Sequence, residues 1–171
     1  INYRKFIPVP ATTGNVFPDA EEQNKISLEA AYDLKKLADK TYFYENLGLS
    51  LDLFNLVIVI CEHLDICSSD IYRSSLLYKG RIFSFNNSFA EARVIFNGIA
   101  NELPNDFYAA LSWFEIGRIY YYNGLKDQSK EYVTKAENIF LHLKLDTSRN
   151  ERILFYYCQF AVLKKDEKRV L

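Results

Sequence analysis

From Ser27 to the last residue the chain contains a single proline, Pro104, whereas Pro8, Pro10 and Pro18 crowd its beginning. A proline inside a helix removes a hydrogen bond and clashes with the preceding turn, at about 3 kcal/mol or more. The long proline-poor stretch is therefore open to helix, and the short proline-bearing stretch is not. Across the long stretch apolar residues recur at helical spacing, and no alternating run with hairpin turns competes over a comparable length. The pattern predicts an all-α chain: an extended N-terminal arm over residues 1–26, with Thr12, Thr13, Gly14 and Asn15 among its prolines, and a helical domain over 27–171.

Start and stop signals divide the helical part into about seven helices joined by short connections. Ser27 is expected to cap a helix reaching about Asn46, with Gly48 as its stop, and Ser50 to cap the next, through about His63. Ser68 or Ser69 opens a third helix, which ends at Asn86-Asn87-Ser88. Ser88 and Glu91 have capping-box spacing for the fourth. Asn105 opens the fifth, closed by Asn123-Gly124; Asp127 opens the sixth; Ser148 and Glu151 form a second capping-box candidate ahead of a last helix over about 149–165.

The stretch Trp113 to Gly124 carries a spacing that the upstream chain repeats. Trp113, Ile116, Gly117 and Tyr120 are followed by Ser129 and Ala136; Leu76, Gly80 and Phe83 are followed by Ala92, Phe96 and Pro104. An eroded third copy lies at Leu34, Leu37 and Ala38, followed by Ser50 and Phe54. A small residue on one helix facing a small residue 12 positions later on the next lets two antiparallel helices approach closely, and large neighbours fill the groove beside the contact. Tyr120 is on this view a packing residue rather than a catalytic one.

These positions resemble the tetratricopeptide repeat, whose signature Trp-x-x-Leu-Gly-x-x-Tyr is met by Trp113, Ile116, Gly117 and Tyr120 with Ile in place of Leu. The resemblance covers about residues 28–143, and the central glycines stand 37 residues apart. It implies a helical-hairpin solenoid in which the first helix of each repeat lines a concave groove. On that geometry the exposed stripe carries Leu77, Arg81 and Phe85 in one repeat and Phe114, Arg118 and Tyr122 in the next, and these six are the expected peptide-binding residues. Paired guanidinium forks flanked by aromatic rings suit an extended peptide bearing carboxylates. The plainer reading is that each arginine pairs with a nearby acid, Arg118 with Glu115 for instance. The equivalent stripe of the first copy, Lys35, Asp39 and Phe43, departs from the carboxylate-clamp repeats that bind chaperone C-termini.

Composition narrows the functions further. Lysine and arginine (21) nearly balance aspartate and glutamate (22), so no basic field invites direct binding of nucleic acid. The most hydrophobic stretch, Leu49 to Leu64, is interrupted by Asp52 and Asn55 and falls short of the run of about 18 apolar residues that a membrane span needs. Cys61, Cys67 and Cys158 lie in or beside apolar sequence rather than in a disulfide framework, which favours a reducing compartment. The start lacks methionine and a signal-peptide pattern, so the chain is expected to be a fragment or processed product of a cytoplasmic protein, with the nucleus as the alternative.

No catalytic residue, metal site or cofactor is expected. Phosphate-binding glycine loops, nucleophile elbows and His-Glu-x-x-His are missing from the sequence. Cys61, His63 and Cys67 lack a fourth ligand at finger-like spacing. His63 and His142 fall near helix C-termini, a structural use. The Asn86 triplet is formally a glycosylation acceptor and is read as a turn. The expected function is non-enzymatic: a protein-interaction module that binds a protein or peptide segment, an acidic one by the arginines, in a concave groove. The alternatives are a scaffold subunit of a larger assembly and the peptide-sensing domain of a regulator; the N-terminal arm is expected to fold back into the groove or reach a neighbouring subunit, with a disordered linker as the plainer reading.

Overall fold

The computed structural model describes residues 20–143 and 151–164. Among the described residues there are seven α-helices and no strand: α1 (Ala20–Phe43), α2 (Leu47–His63), α3 (Asp70–Phe85), α4 (Phe89–Glu102), α5 (Phe107–Tyr122), α6 (Lys126–His142) and α7 (Glu151–Lys164). None is long and apolar enough to cross a membrane.

The helix ends follow backbone geometry more than serine placement. Helix α1 runs back to Ala20, into the expected arm, because Glu21 and Glu22 complement the helix dipole in its first turn. The rest of the expected arm, residues 1–19, lies outside the described residues, as does Ser148. Ser27 is no cap: its hydroxyl donates to the Gln23 carbonyl one turn back, inside the helix. Ser50 is no cap either. Asn46 starts α2 by accepting from the Leu49 N–H, and the Ser50 hydroxyl donates to the Ala38 carbonyl of α1 at 2.9 Å, buried between the two helices. Ser69 and Asp106 do cap α3 and α5, accepting from Tyr72 and Ala109. Asp106 does so one residue after the expected Asn105. Ser88 and Leu125 sit at the starts of α4 and α6 without a side-chain cap bond.

Three equivalent turns join α1 to α2, α3 to α4 and α5 to α6. Each contains one left-handed residue, Glu45 (φ 60), Asn87 (φ 61) or Gly124 (φ 76). In each, the next residue's N–H reaches back to a carbonyl five positions earlier: Asn46 to Thr41, Ser88 to Phe83 and Leu125 to Tyr120, all at 2.9 Å. This is the closing bond of a Schellman turn, and it reverses the chain. Contacts therefore run in opposite order along the two helices: Ala38 clusters with Leu53 and Phe54, and Ala31, further back on α1, with Val57 and Cys61.

The small residues sit at these crossings. Ala38 and Ser50, and likewise Ala92 and Ser129, are fully buried. A Cβ on Gly80 would lie 2.6 Å from Cε1 of Phe96, and one on Gly117 would lie 2.7 Å from Cγ2 of Val133 and 3.2 Å from the Ser129 carbonyl oxygen. Phe54, Phe96 and Val133, each one turn beyond the small residue of the second helix, are buried in the grooves beside the contacts. Tyr120 packs as expected, stacking on Tyr132 at 5.2 Å, which also stacks on Trp113 at 5.6 Å.

Each helix packs on the next along the chain, and α1, α3, α5 and α7 also touch one another in succession. Among the described residues no such contact joins α2, α4 and α6. The odd-numbered helices thus form one face and the even-numbered helices lie behind it. The main core, built around Phe96, Phe114, Phe140 and Phe160, joins α3 through α7, and two smaller clusters join α1 and α2 to α3.

Candidate functional site

The odd-helix face carries the expected stripe, with a graded exposure. The exposed fraction climbs from 2% at Leu77 through 15% for the Arg81 side chain to 56% at Phe85. It climbs again from 1% at Phe114 through 30% for the Arg118 side chain to 69% at Tyr122. The helix repeat supplies the reason: a step of four residues overshoots one turn by about 40°, so an i, i+4, i+8 row rotates from the core toward solvent. Leu77 and Phe114 are therefore core residues, which corrects their expected exposure. Helix α7 completes the burial of Phe114, whose ring meets Tyr156 at 5.5 Å and Phe160 at 5.2 Å. Arg81, Phe85, Arg118 and Tyr122 do come together at a surface cleft.

Both arginines converge on one acid. Arg81 Nε donates to Glu115 Oε1 at 2.7 Å, and Arg118 Nη1 donates to Glu115 Oε2 at 3.0 Å. Arg81 Nη2 also donates to the Tyr156 hydroxyl at 2.9 Å. The pairing of Arg118 with Glu115 thus holds, and it extends across helices to Arg81. Glu115 is buried, the sole acid of an otherwise largely apolar α5, and Arg118 is the sole base there. Such a charge must be paired to be tolerated. Burial, the largest single influence, lowers the pKa of each arginine; the Glu115 carboxylate, together with Tyr156 at Arg81 and Tyr122 at Arg118, more than offsets it, so both end above the ordinary value and stay cationic. Two guanidinium ions and one carboxylate leave one positive charge.

Aromatic rings frame the cluster. The Arg81 guanidinium lies 5.2 Å from the Tyr78 ring centre; that of Arg118 lies between Phe114 at 6.0 Å and Tyr122 at 5.8 Å. Tyr42 from α1 packs edge-on against Tyr78 at 5.0 Å. Burial pushes its hydroxyl up to about 12, with Arg81 pulling against it and Glu115 adding to it. In the first copy of the stripe Lys35 pairs with Asp39 at 2.7 Å and covers the rings of Phe54 and Tyr78, while Phe43 stays exposed.

Clefts open along this face and at its turn end. One of about 520 Å³ is bounded by Leu77, Tyr78, Arg81, Leu111, Phe155 and Tyr156 among others. A second, of about 270 Å³, is bounded by Arg81, Ser84, Phe85, Glu115, Arg118 and Tyr122 among others. The third, of about 440 Å³, lies at the α1–α2 turn over Tyr42, Phe43, Glu45, Leu47 and Phe85. Arg81 walls the first two and Phe85 the second and third, so the clefts are consecutive.

Elsewhere the chemistry is sparse. Among the described residues no group of three or more His, Cys, Asp or Glu could hold a metal ion. Cys61 and Cys67 are free thiols, Cys61 buried with its pKa pushed up by burial and by Cys67. No family model matches the chain, and no curated protein matches it.

Proposed function

We propose that the chain is a non-enzymatic interaction module of tetratricopeptide-like architecture, its hairpins stacked as a solenoid, and that the odd-helix face receives a peptide or an extended segment of a partner protein. The observation that carries this reading is the series of three consecutive clefts along one face and its turn end, centred on a guanidinium pair with one charge in excess. A partly exposed arginine held between two aromatic rings offers charge-assisted bonds and apolar contact together. The small buried residues repeated at the α1–α2, α3–α4 and α5–α6 crossings support the repeat assignment.

Selection from a random peptide library tests the reading. Selected peptides should lose binding to an Arg118→Glu variant and keep it for Val94→Asp, which alters an exposed residue on α4. Peptides indifferent to Arg118→Glu, or sensitive only to Val94→Asp, would remove the odd-helix face as the site.

A second reading draws on the apolar residues exposed on the even helices, Leu56 and Val59 on α2 and Val94 on α4. These suit the permanent covering of a scaffold subunit by neighbouring chains. On that reading the isolated chain self-associates, and Val59→Asp with Val94→Asp restores a monomer in analytical ultracentrifugation.

A further inference from the structure

Resting on the reading of the odd-helix face as a peptide site, we propose that its ligand is a segment with one side-chain carboxylate and, three or four residues away, one bulky apolar side chain. Arg118 receives the carboxylate in the smaller cleft and the larger cleft receives the apolar group.

The division of labour between the arginines follows from their bonds. Arg81 commits Nε to Glu115 and Nη2 to Tyr156 and is the more buried of the two, so it serves as the shared wall between the clefts. Arg118 commits Nη1 to Glu115 and also bonds the Tyr122 hydroxyl at the cleft's rim, and a guanidinium has five donors in all. Its side chain is twice as exposed and opens on the second cleft. That cleft, at about 270 Å³, falls below the roughly 300–1,000 Å³ typical of small-molecule sites and fits a compact group. The first, at about 520 Å³, falls within that range; Leu77, Phe107, Leu111 and Phe155 give it apolar walls.

Charge sets the number of acids. The cluster holds one positive charge in excess, which a single carboxylate cancels. A phosphate group brings about −1.5 to −2 and would face the Glu115 carboxylate with charge left over. Glu115 is thus a positioning residue: it holds both forks in place and limits recognition to one acid.

Geometry sets the spacing. On α3 the first cleft centres near Leu77 and Tyr78 and the second near Ser84; on α5 the centres fall near Tyr108 and Arg118. At 1.5 Å rise per helical residue these offsets are about 10–15 Å. An extended chain advances about 3.3 Å per residue, so the two groups stand about three or four residues apart.

The probes are N-acetylated peptide amides containing one Phe and one Glu in either order, separated by zero to five glycines, titrated into the ¹⁵N-labelled chain by NMR. Two or three intervening glycines should bind tightest, and Glu→Gln in the peptide should weaken binding about tenfold. Arg118→Gln should bring the Glu peptide down to the Gln peptide's level, and Ser74→Trp, which fills the larger cleft, should erase the preference for Phe over Ala. Glu115→Gln, checked for folding by circular dichroism, should shift the preference toward peptides with two adjacent acids, a rank change that mere loosening of the fold does not produce. Equal binding of Glu and Gln peptides, no dependence on spacing, or tighter binding of a phosphoserine peptide would overturn the proposal. Should this panel fail while library-selected peptides remain sensitive to Arg118→Glu, the recognition rule falls and the peptide site stands. Should both fail, the site falls with it.

Discussion

Replacing Gly117 by alanine pits two effects of known sign against each other. In a helix interior, alanine is favoured over glycine by about 0.8–1.0 kcal/mol. At Gly117, however, the added Cβ would stand 2.7 Å from Val133 Cγ2, 3.2 Å from the Ser129 carbonyl oxygen and 3.3 Å from the Val133 nitrogen. Carbon atoms in contact prefer about 3.5–4.0 Å, so α6 must retreat by up to about 1 Å, and two of the three obstructing atoms are backbone and have no other rotamer. Overpacking of this kind costs about 1–3 kcal/mol, which exceeds the propensity gain over most of its range. Gly98 supplies the control, because it is helical in α4 and a Cβ there meets nothing within 4 Å. Gly98→Ala should therefore stabilise by about 0.5–1 kcal/mol, while Gly117→Ala destabilises. Urea denaturation followed by circular dichroism reads both, with unchanged slopes. Val133→Ala, itself destabilising, should couple favourably with Gly117→Ala, since it removes the nearest obstructing atom. A Gly117→Ala protein as stable as the parent would refute the close crossing.

Two further outcomes follow from the charged cluster. Glu115→Ala leaves Arg81 and Arg118 facing one another without their shared carboxylate, and loss of one partner of a buried pair costs about 3–5 kcal/mol in chemical denaturation. On the alkaline side, the Tyr42 hydroxyl is raised from 10.0 to about 12 in the folded chain, so the unfolded chain releases that proton first. This group's contribution should be steady below pH 10 and fall between pH 10 and 12, and the Cys61 thiol, raised from 9.0, begins its own fall at a lower pH. Tyr72, likewise raised to about 12 chiefly by burial, adds to the fall, so Tyr42→Phe should flatten the pH profile of the denaturation midpoint only in part.

The helical character and the hairpin crossings were legible because they depend on local needs: absence of proline, apolar spacing, and small residues where two helices meet. Helix ends were less so. Ser50 looks like a cap and acts as a crossing residue, since the preceding turn is made by Glu45 in a left-handed conformation that glycine placement does not betray. Ser27 lost its capping role because the Glu21-Glu22 sequence before it starts the helix earlier. At the site, Arg81 and Arg118 were legible as equivalent positions. The burial of Leu77 and Phe114 was not, because the straight stripe omits the drift of about 40° per step. The pairing of Glu115 with Arg118 was legible within α5, where one acid among apolar residues demands a partner. Its second partner, Arg81, and the Tyr156 contact from α7 arise only when distant segments of the chain pack together.

The claim on which the functional account rests is that binding occurs on the odd-helix face. Amide chemical-shift mapping of the ¹⁵N-labelled chain with a library-selected peptide measures this directly. The account predicts saturable shifts concentrated at Tyr78, Ser84, Arg118 and Tyr122, with Leu56, Val59 and Val94 unmoved. Shifts centred on those α2 and α4 residues, with α3 and α5 silent, would contradict it.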